Sequence, residues 1–317
     1  MNQLRICFMG TPDFAVAILE DIISHKFNVV GVVTAPDKPA GRGRKLKASA
    51  VKEYALKKEL NIYQPTNLKS DEFEADLKKM NPNLIVVVAF RMLPKKVWNF
   101  PEYGTFNLHA SLLPNYRGAA PIHWAVINNE NETGVSTFFL DDQIDTGAII
   151  LRKTIGIDKQ ETTGTIYSKL MKIGCKAVIE TLELIQLKGK NIETVKQDKT
   201  KKHKEAPKLS KENTRLNWNN PTEKNYHLIR GLSPFPLAWS YLKEGDKKMV
   251  CKFYLADYKN EKHELIPGTI KIDEKQLLIA CKDGFIVVIE LKLEGKKKMN
   301  ALDFLNGHNF AEDAHFI

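Results

Sequence analysis

Two stretches, NVVGVVTA (28–35) and NLIVVVAF (83–90), constrain this chain more than any others, because neither alternates. A strand with one wet face reads apolar, polar, apolar. A strand that is apolar at nearly every position must be covered on both faces, as interior strands of parallel sheets are. RICFMG (5–10) is a third, shorter run of the same kind. Apolar periodicity near 3.6 follows it from Phe14 to Ile23 and recurs at 49–60 and 70–80, with Thr11 and Pro12 suggesting an N-cap and first helical position. Strand and helix alternating in this way predict a doubly wound α/β sheet with right-handed crossovers.

Past GTFNLHA (104–110), the pattern predicts a helix at 121–129, strands at 135–140 and 148–153, and a long helix over 163–187. Periodicity then collapses into KQDKTKKHKEAPKLSK (196–211), which holds seven Lys against two acids and reads as a basic linker. From about 209 onward, SPFPLAWSYL, KMVCKFYLADY, GTIKID, QLLIACKDG and FIVVIELKL read as short strands divided by turns, the signature of a small barrel or sandwich. The resulting division is 1–188, a linker at 189–208, and 209–317.

The 317 residues carry a net charge of +10, unevenly placed. Besides the linker, PDKPAGRGRKLK (36–47) holds five Lys/Arg against one Asp, and Lys296–Lys298 form a third cluster. Such clusters serve solubility or mark a polyanionic partner, RNA above all; charge alone does not choose. The four cysteines are scattered and form no CxxC pair, which predicts reduced thiols rather than a disulfide or zinc framework and so a cytoplasmic protein. The N-terminus has no signal-peptide pattern, and no apolar run approaches a membrane span. MGTPDF lacks G-x-G-x-x-G, and no G-x-x-x-x-G-K-[ST] occurs, which argues against dinucleotide and P-loop phosphate cradles.

The candidate chemistry lies in FNLHASLLPNYRG. Asn107 and His109 are two residues apart on a strand and therefore share a face, where buried polar groups need partners or a task. That strand runs into SLLP at its carboxyl end, where open α/β sheets bind ligands. DDQIDTG (141–147) then offers Asp145 in a turn between two strands, although Asp is also an ordinary turn residue and Gly147 would supply a positive φ.

FNLHASLLPNYRGAAPI together with DDQIDTG resembles the formyltransferases that use 10-formyltetrahydrofolate, and MGTPDF, PDKPAGRGRK and YHLIRGLSPFPLAW are similar to the members of that family that formylate methionyl-initiator tRNA. The resemblance runs from about residue 4 to 307. It implies a Rossmann-like formyltransferase domain followed by a small OB-like β-barrel that binds tRNA, and a monomer with no metal. It implies Asn107, His109 and Asp145 as catalytic residues acting without a covalent nucleophile. Ser111, Leu112, Leu113 and Pro114 would hold the folate, the backbone of 111–113 bonding its pterin, with Val87, Val88 and Ala89 as lining. Arg42, Arg44, Lys45 and Lys47 in the basic loop and Lys201, Lys202 and Lys204 in the linker would hold the RNA. His123 reads as structural. Arg91 departs from the pattern, since relatives often have Gly there, and it adds bulk and charge near the pterin region.

Three other readings share some of these residues. A formyltransferase acting on a sugar nucleotide or other small amine would keep the trio but has no use for the basic loop, the basic linker and the β-rich appendage. An RNA-binding protein on a retired scaffold would have lost one of the three. A hydrolase would let water replace the amine, and spacing does not distinguish it.

Overall fold

A computed structural model describes residues 3–40, 45–198, 200 and 202–317. Arg42, Arg44 and Lys201 lie outside the described residues, as does the side chain of Lys45. The chain separates into two units, one of 1–118, 134–155 and 168–205, the other of 119–133, 156–167 and 206–317.

The first unit is built on seven strands: β1 (Arg5–Gly10), β2 (Asn28–Val33), β3 (Ile62–Tyr63), β4 (Leu84–Val88), β5 (Thr105–His109), β6 (Glu132–Phe139) and β7 (Ile149–Gly156). Their order is β7-β6-β5-β4-β1-β2-β3. The stretch from β3 through β5 is parallel throughout, which is the doubly wound arrangement expected of the unbroken Val/Ile runs. All five residues of β4 are buried. The direction changes at β5, which meets β6 antiparallel with Asn107 opposite Phe138 and His109 opposite Ser136.

Helices α2 (Ala50–Lys57) and α3 (Asp71–Met80) fall within the spans where periodicity predicts them, α1 (Asp13–Ser24) runs one residue past its predicted span at each end, and α4 (Thr163–Lys188) follows β7. Ser49 caps α2 and Ser70 caps α3, each hydroxyl accepting a backbone N–H three residues on. The start of α1 differs from expectation. Pro12 itself occupies the N-cap, and its carbonyl accepts the Ala15 and Val16 N–H groups at 2.9 and 3.2 Å. The Thr11 hydroxyl makes no cap bond; the Thr11 carbonyl accepts from Val51 instead.

The basic stretch after α4 is not a free strand of chain. Val195 bridges Ile149 through two 2.8 Å bonds, and residues to 205 belong to the first unit.

The second unit carries β8 (Ala238–Glu244), β9 (Lys247–Lys259), β10 (Ile270–Asp273), β11 (Gln276–Ala280), β12 (Phe285–Leu293) and β13 (His315–Phe316), in the order β10-β11-β12-β9-β8-β13. A bridge between Thr269 and His315 joins the two ends, so the antiparallel sheet closes into a small barrel. Gly268 makes that seam: its φ is +94°, and a Cβ there would stand 2.0 Å from the Phe316 carbonyl oxygen. Inside, the rings of Trp218, Phe253 and Phe316 pack at centroid distances of 5.8, 5.7 and 5.6 Å.

Two helices interrupt the run of strands expected here, α5 (Thr222–Leu232) and α6 (Ala301–Asn306). Pro221 opens α5, and Tyr226, Ile229 and Leu232 bury one face of it. Pro234 and Pro236 delay the strand expected of SPFPLAWSYL until Ala238, after Leu237 has taken a φ of +82°. All four cysteines are free thiols, three of them buried. Among the described residues no helix is long and apolar enough to cross a membrane.

Candidate active site

At the carboxyl end of β5, His109 meets Asp145, and Asn107 lies two residues before His109 on the same strand. His109 lies on β5 and is buried, while Asn107, on the same face, is only half-buried. His109 Nε2 donates to the Tyr116 carbonyl at 2.8 Å. A carbonyl only accepts, so Nε2 carries a proton and Nδ1 is the nitrogen open to proton exchange. Nδ1 faces the Asp145 Oδ2 at 3.7 Å, an ion-pair distance rather than a hydrogen bond, with the two side chains 8% and 14% exposed.

Asp145 is held from three directions. Its Oδ2 accepts the Gly118 N–H at 3.0 Å. Its own φ is +55°, so the left-handed residue of DDQIDTG is Asp145 and not Gly147 as the turn reading supposes. Gly147 is required for a different reason: a Cβ there would lie 1.6 Å from the Phe139 carbonyl oxygen.

The third hold was not legible in the sequence. Gln197, buried inside the lysine-rich stretch, donates from Nε2 to the Asp145 carbonyl at 2.9 Å and to the Gly147 carbonyl at 2.8 Å. Its Oε1 accepts from Arg117 Nε and Nη2 at 3.1 and 2.6 Å. A few residues on, the Lys204 carbonyl accepts the Tyr116 N–H, whose own carbonyl holds His109. Only a three-dimensional neighbour reveals this, since one Gln among lysines has no periodic signature.

The SLLP turn is tied to itself and to Ser136 on β6. The Ser111 hydroxyl donates to the Asn115 carbonyl at 2.7 Å, and the Ser136 hydroxyl donates to the Ser111 carbonyl at 2.7 Å. Leu113 N–H donates to Ser136 Oγ at 3.1 Å, and the Leu112 carbonyl accepts from Asn115. Of the backbone expected to bond a ligand, the Ser111 and Leu112 carbonyls and the Leu113 N–H are thus already engaged, by Ser136 on β6 and by Asn115, and Ser111 and Leu113 are buried. Leu112 and Pro114 are half-exposed. Of the three lining residues, Val87 and Val88 are sheet core, 5% and 1% exposed. Ala89 is exposed at the end of β4 with a φ of +47°, a strained backbone for a residue with a Cβ.

Arg91 does not reach into this space freely. Its guanidinium donates to the Thr66 carbonyl at 2.9 Å and to the Pro65 carbonyl, and it lies 5.6 Å from the Phe90 ring centroid. Partial burial pulls its pKa below the usual guanidinium value.

The ends of the basic loop are pinned. The Thr34 and Ser49 hydroxyls are bonded at 2.7 Å, and Asp37 accepts from Lys52 at 2.7 Å and Gln64 at 2.9 Å. Those donors, Lys52 first, hold the Asp37 carboxyl below the ordinary carboxylate range. Between them Lys38–Ala40 pairs antiparallel with Lys45–Lys47. Lys47, Lys202 and Lys204 are exposed. His123, on the helix Pro121–Ile127, donates from Nε2 to the Phe235 carbonyl at 3.1 Å, and burial lowers its pKa, which fits a structural role. No group of three or more His, Cys, Asp or Glu able to hold a metal ion occurs among the described residues.

Known proteins carry the same pattern. The formyl transferase model matches residues 4–182, and the model for the formyl transferase C-terminal domain matches 208–309. The methionyl-tRNA formyltransferase of Flavobacterium johnsoniae is 52% identical over 314 residues, 99% of each chain. That of Bacteroides fragilis is 48% identical over 317 residues, 98% of this chain and 97% of the other. Among solved structures, the sugar 3N-formyl transferase WlaRD superposes with a TM-score of 0.64 at 19% identity, covering 94% of this chain and all of that one. HypX from Aquifex aeolicus, in complex with tetrahydrofolic acid, gives a TM-score of 0.64 at 18% identity, and this chain spans about half of its length, 49%. At such identities these two structures speak to the fold alone. With both halves matched in order and near-full-length relatives at about half identity, this chain belongs to the formyl transferase family, among the methionyl-tRNA formyltransferases.

Proposed function

We propose that this chain transfers a formyl group from 10-formyltetrahydrofolate to the α-amino group of methionyl-initiator tRNA. The observation that carries the chemistry is one nitrogen, His109 Nδ1, left open to proton exchange beside Asp145 while Nε2 is held by the Tyr116 carbonyl. The family membership and the near-full-length relatives favour charged tRNA over a small amine as acceptor.

The residues present fit a formyl-folate. An acyl carbonyl needs donors and a proton carrier, which the trio supplies, and a flat ring needs uncovered apolar surface, which Ala89, Leu112 and Pro114 supply. When bound, the folate provides an activated formyl carbonyl. Asn107 donates an N–H toward the oxygen that gains negative charge, a contribution typically worth about 2.7–4 kcal/mol. His109 takes the proton released by the attacking amine at Nδ1 and returns it toward the leaving nitrogen, worth roughly 10²–10⁴-fold in rate. Asp145 stabilises the ring while it is charged, and the Gly118 N–H keeps the carboxylate aimed. Ser111 takes no part as a nucleophile, because its hydroxyl is committed to Asn115.

RNA is held by charge. Its proposed contacts are Lys47, Lys202 and Lys204, which are exposed, together with Arg42, Arg44, Lys45 and Lys201, and residues 209–317 serve as the tRNA-binding barrel domain.

Formyl transfer to methionyl-tRNA, measured beside free methionine and a sugar-nucleotide amine, tests the proposal. Transfer to the charged tRNA alone, weakened by Arg42→Ala, is the expected result. Preference for the sugar amine, with Arg42→Ala silent, would overturn the tRNA assignment and keep the trio.

A further inference from the structure

The stretch from Val195 to Lys204 has almost nothing apolar to bury, yet it is held in place. Among the described residues between 190 and 205, Gln197 alone is buried. What fastens the stretch is polar. Val195 pairs with Ile149, and the Gln197 amide makes its four bonds. The Lys204 carbonyl accepts from Tyr116, and the Lys204 N–H donates to Asn115 Oδ1 at 3.2 Å.

Each end of the stretch holds one member of the catalytic pair. Gln197 fixes the turn that carries Asp145, through the carbonyls of Asp145 and Gly147. Lys204 fixes Tyr116, whose own carbonyl orients His109. Tyr116 needs such a hold, because its φ of +60° is a left-handed backbone that a residue with a Cβ adopts at a cost. The two ends also meet on one short turn. Tyr116 answers Lys204, Arg117 answers Gln197, and Gly118 answers Asp145 itself. A shift of the stretch therefore moves both catalytic side chains together.

Between the two ends, His203 Nε2 donates to the Asp198 carbonyl at 2.6 Å, and Asp198 Oδ1 accepts from the Thr200 N–H and hydroxyl at 2.8 and 2.7 Å. Lys196, Lys202 and Lys204 stand exposed along the stretch. Among the described residues neither Lys196 nor Lys202 has a carboxylate within 4.0 Å. Docking thus gathers like charges that a free segment would spread, and no buried apolar surface offsets the order it imposes. A polyanion reverses the sign of that effect. It favours the docked stretch over the free one, which is the differential affinity any ligand-driven shift requires.

We propose that this stretch makes formyl transfer conditional on RNA: phosphates on Lys196 and Lys202 draw it onto the 116–118 turn, and Gln197 and Lys204 then hold Asp145 and His109 in working position. The inference rests on the tRNA reading above and goes beyond where the RNA is held. It supplies a reason for a free amine of the same chemistry to be refused, because the binding energy of the charged RNA is what assembles the site. Gln197 and the Lys204 backbone are positioning groups in this scheme, acting through the Asp145 turn and Tyr116.

The test is single-turnover formyl transfer in the full chain saturated with methionyl-tRNA, for the wild type, Lys196→Ala/Lys202→Ala, Gln197→Ala and the triple variant. Lysines that only hold RNA would raise Kd and leave the saturated rate alone. Coupled lysines should lower that rate about fivefold or more, the low end of measured couplings. Gln197→Ala cuts the same link, so the triple variant should fall well short of the product of the two losses. Both lysines are exposed, so the melting temperature should not move, which separates lost coupling from lost folding. A second readout needs no activity. Hydrogen exchange at the Val195 and Tyr116 amides should slow about fivefold or more when an RNA hairpin is added, and should not slow in Lys196→Ala/Lys202→Ala. A saturated rate untouched by loss of the lysines, losses that multiply in full, or exchange indifferent to RNA would overturn the coupling while formylation of methionyl-tRNA still stood. Exchange slowed by RNA in a chain that formylates no tRNA would support the coupling and overturn the functional reading instead.

Discussion

Asp145 joins two requirements that different substitutions can separate. Its carboxylate answers His109, and its left-handed backbone lets the turn between β6 and β7 deliver it there. Asparagine tolerates that backbone and still accepts the Gly118 N–H, so Asp145→Asn should leave the melting temperature nearly unchanged. The ring charge goes unanswered, however, and formyl transfer should fall on the order of 10²-fold or more. Equal loss of both in a thermal melt and a single-turnover assay would mean Asp145 is structural. Gly147 is the reverse case. Its φ is unremarkable, but a Cβ 1.6 Å from the Phe139 carbonyl oxygen forces the turn away from β6. Gly147→Ala should therefore cost about 3 kcal/mol or more in denaturant unfolding, because backbone and not a flexible side chain must yield.

Longer segments show what the amino-acid pattern discloses and what it withholds. The Val/Ile runs announce β1, β2 and β4 because burial on both faces leaves a local trace, and Asn107 and His109 announce themselves as polar groups on a strand that should not hold them. Asp145 is visible as a turn residue. Gln197 is not, because its meaning lies in two carbonyls some fifty positions away. The closing of the barrel by Thr269 and His315 is invisible for the same reason. Helix α5 is hidden differently, its apolar face being short and framed by Pro221 and Pro234. Since Gln197 ties the backbone of the Asp145 turn to the Arg117 side chain and touches none of the trio's side chains, Gln197→Ala should lower kcat about tenfold with little change in the KM for folate, and Gln197→Glu should not restore it, having lost the donor to both carbonyls. Helix α5 offers a pH test. Burial, aided by the neighbouring Arg230, pulls His227 down to about 4 from 6.5. The folded form then stays neutral while the unfolded chain protonates, so stability is intact above pH 6.5 and is lost as pH falls toward 4. His227→Gln should flatten the melting temperature across that window.

For the molecule as a whole, the question is how a chain with a net charge of +10 keeps its positive charge useful rather than merely repulsive. Where acids are available they are spent at the base of the basic loop and beside Lys298, locking backbone in place, while Lys47, Lys202, Lys252 and Lys292 stay exposed. Charge left free in this way acts through counterion release. If about five phosphates are contacted, the slope of log affinity against log salt should be about −3.5 to −4.5, a loss of roughly 10²-fold between about 50 and 200 mM salt. The rate of formyl transfer from saturated enzyme should change far less, since His109 and Asp145 are nearly closed to solvent and screened weakly. Measuring Kd for methionyl-tRNA and single-turnover rate over the same salt series separates the two. A flat affinity would mean that the basic clusters serve solubility alone, and a rate falling in step with affinity would mean that salt acts on the trio itself.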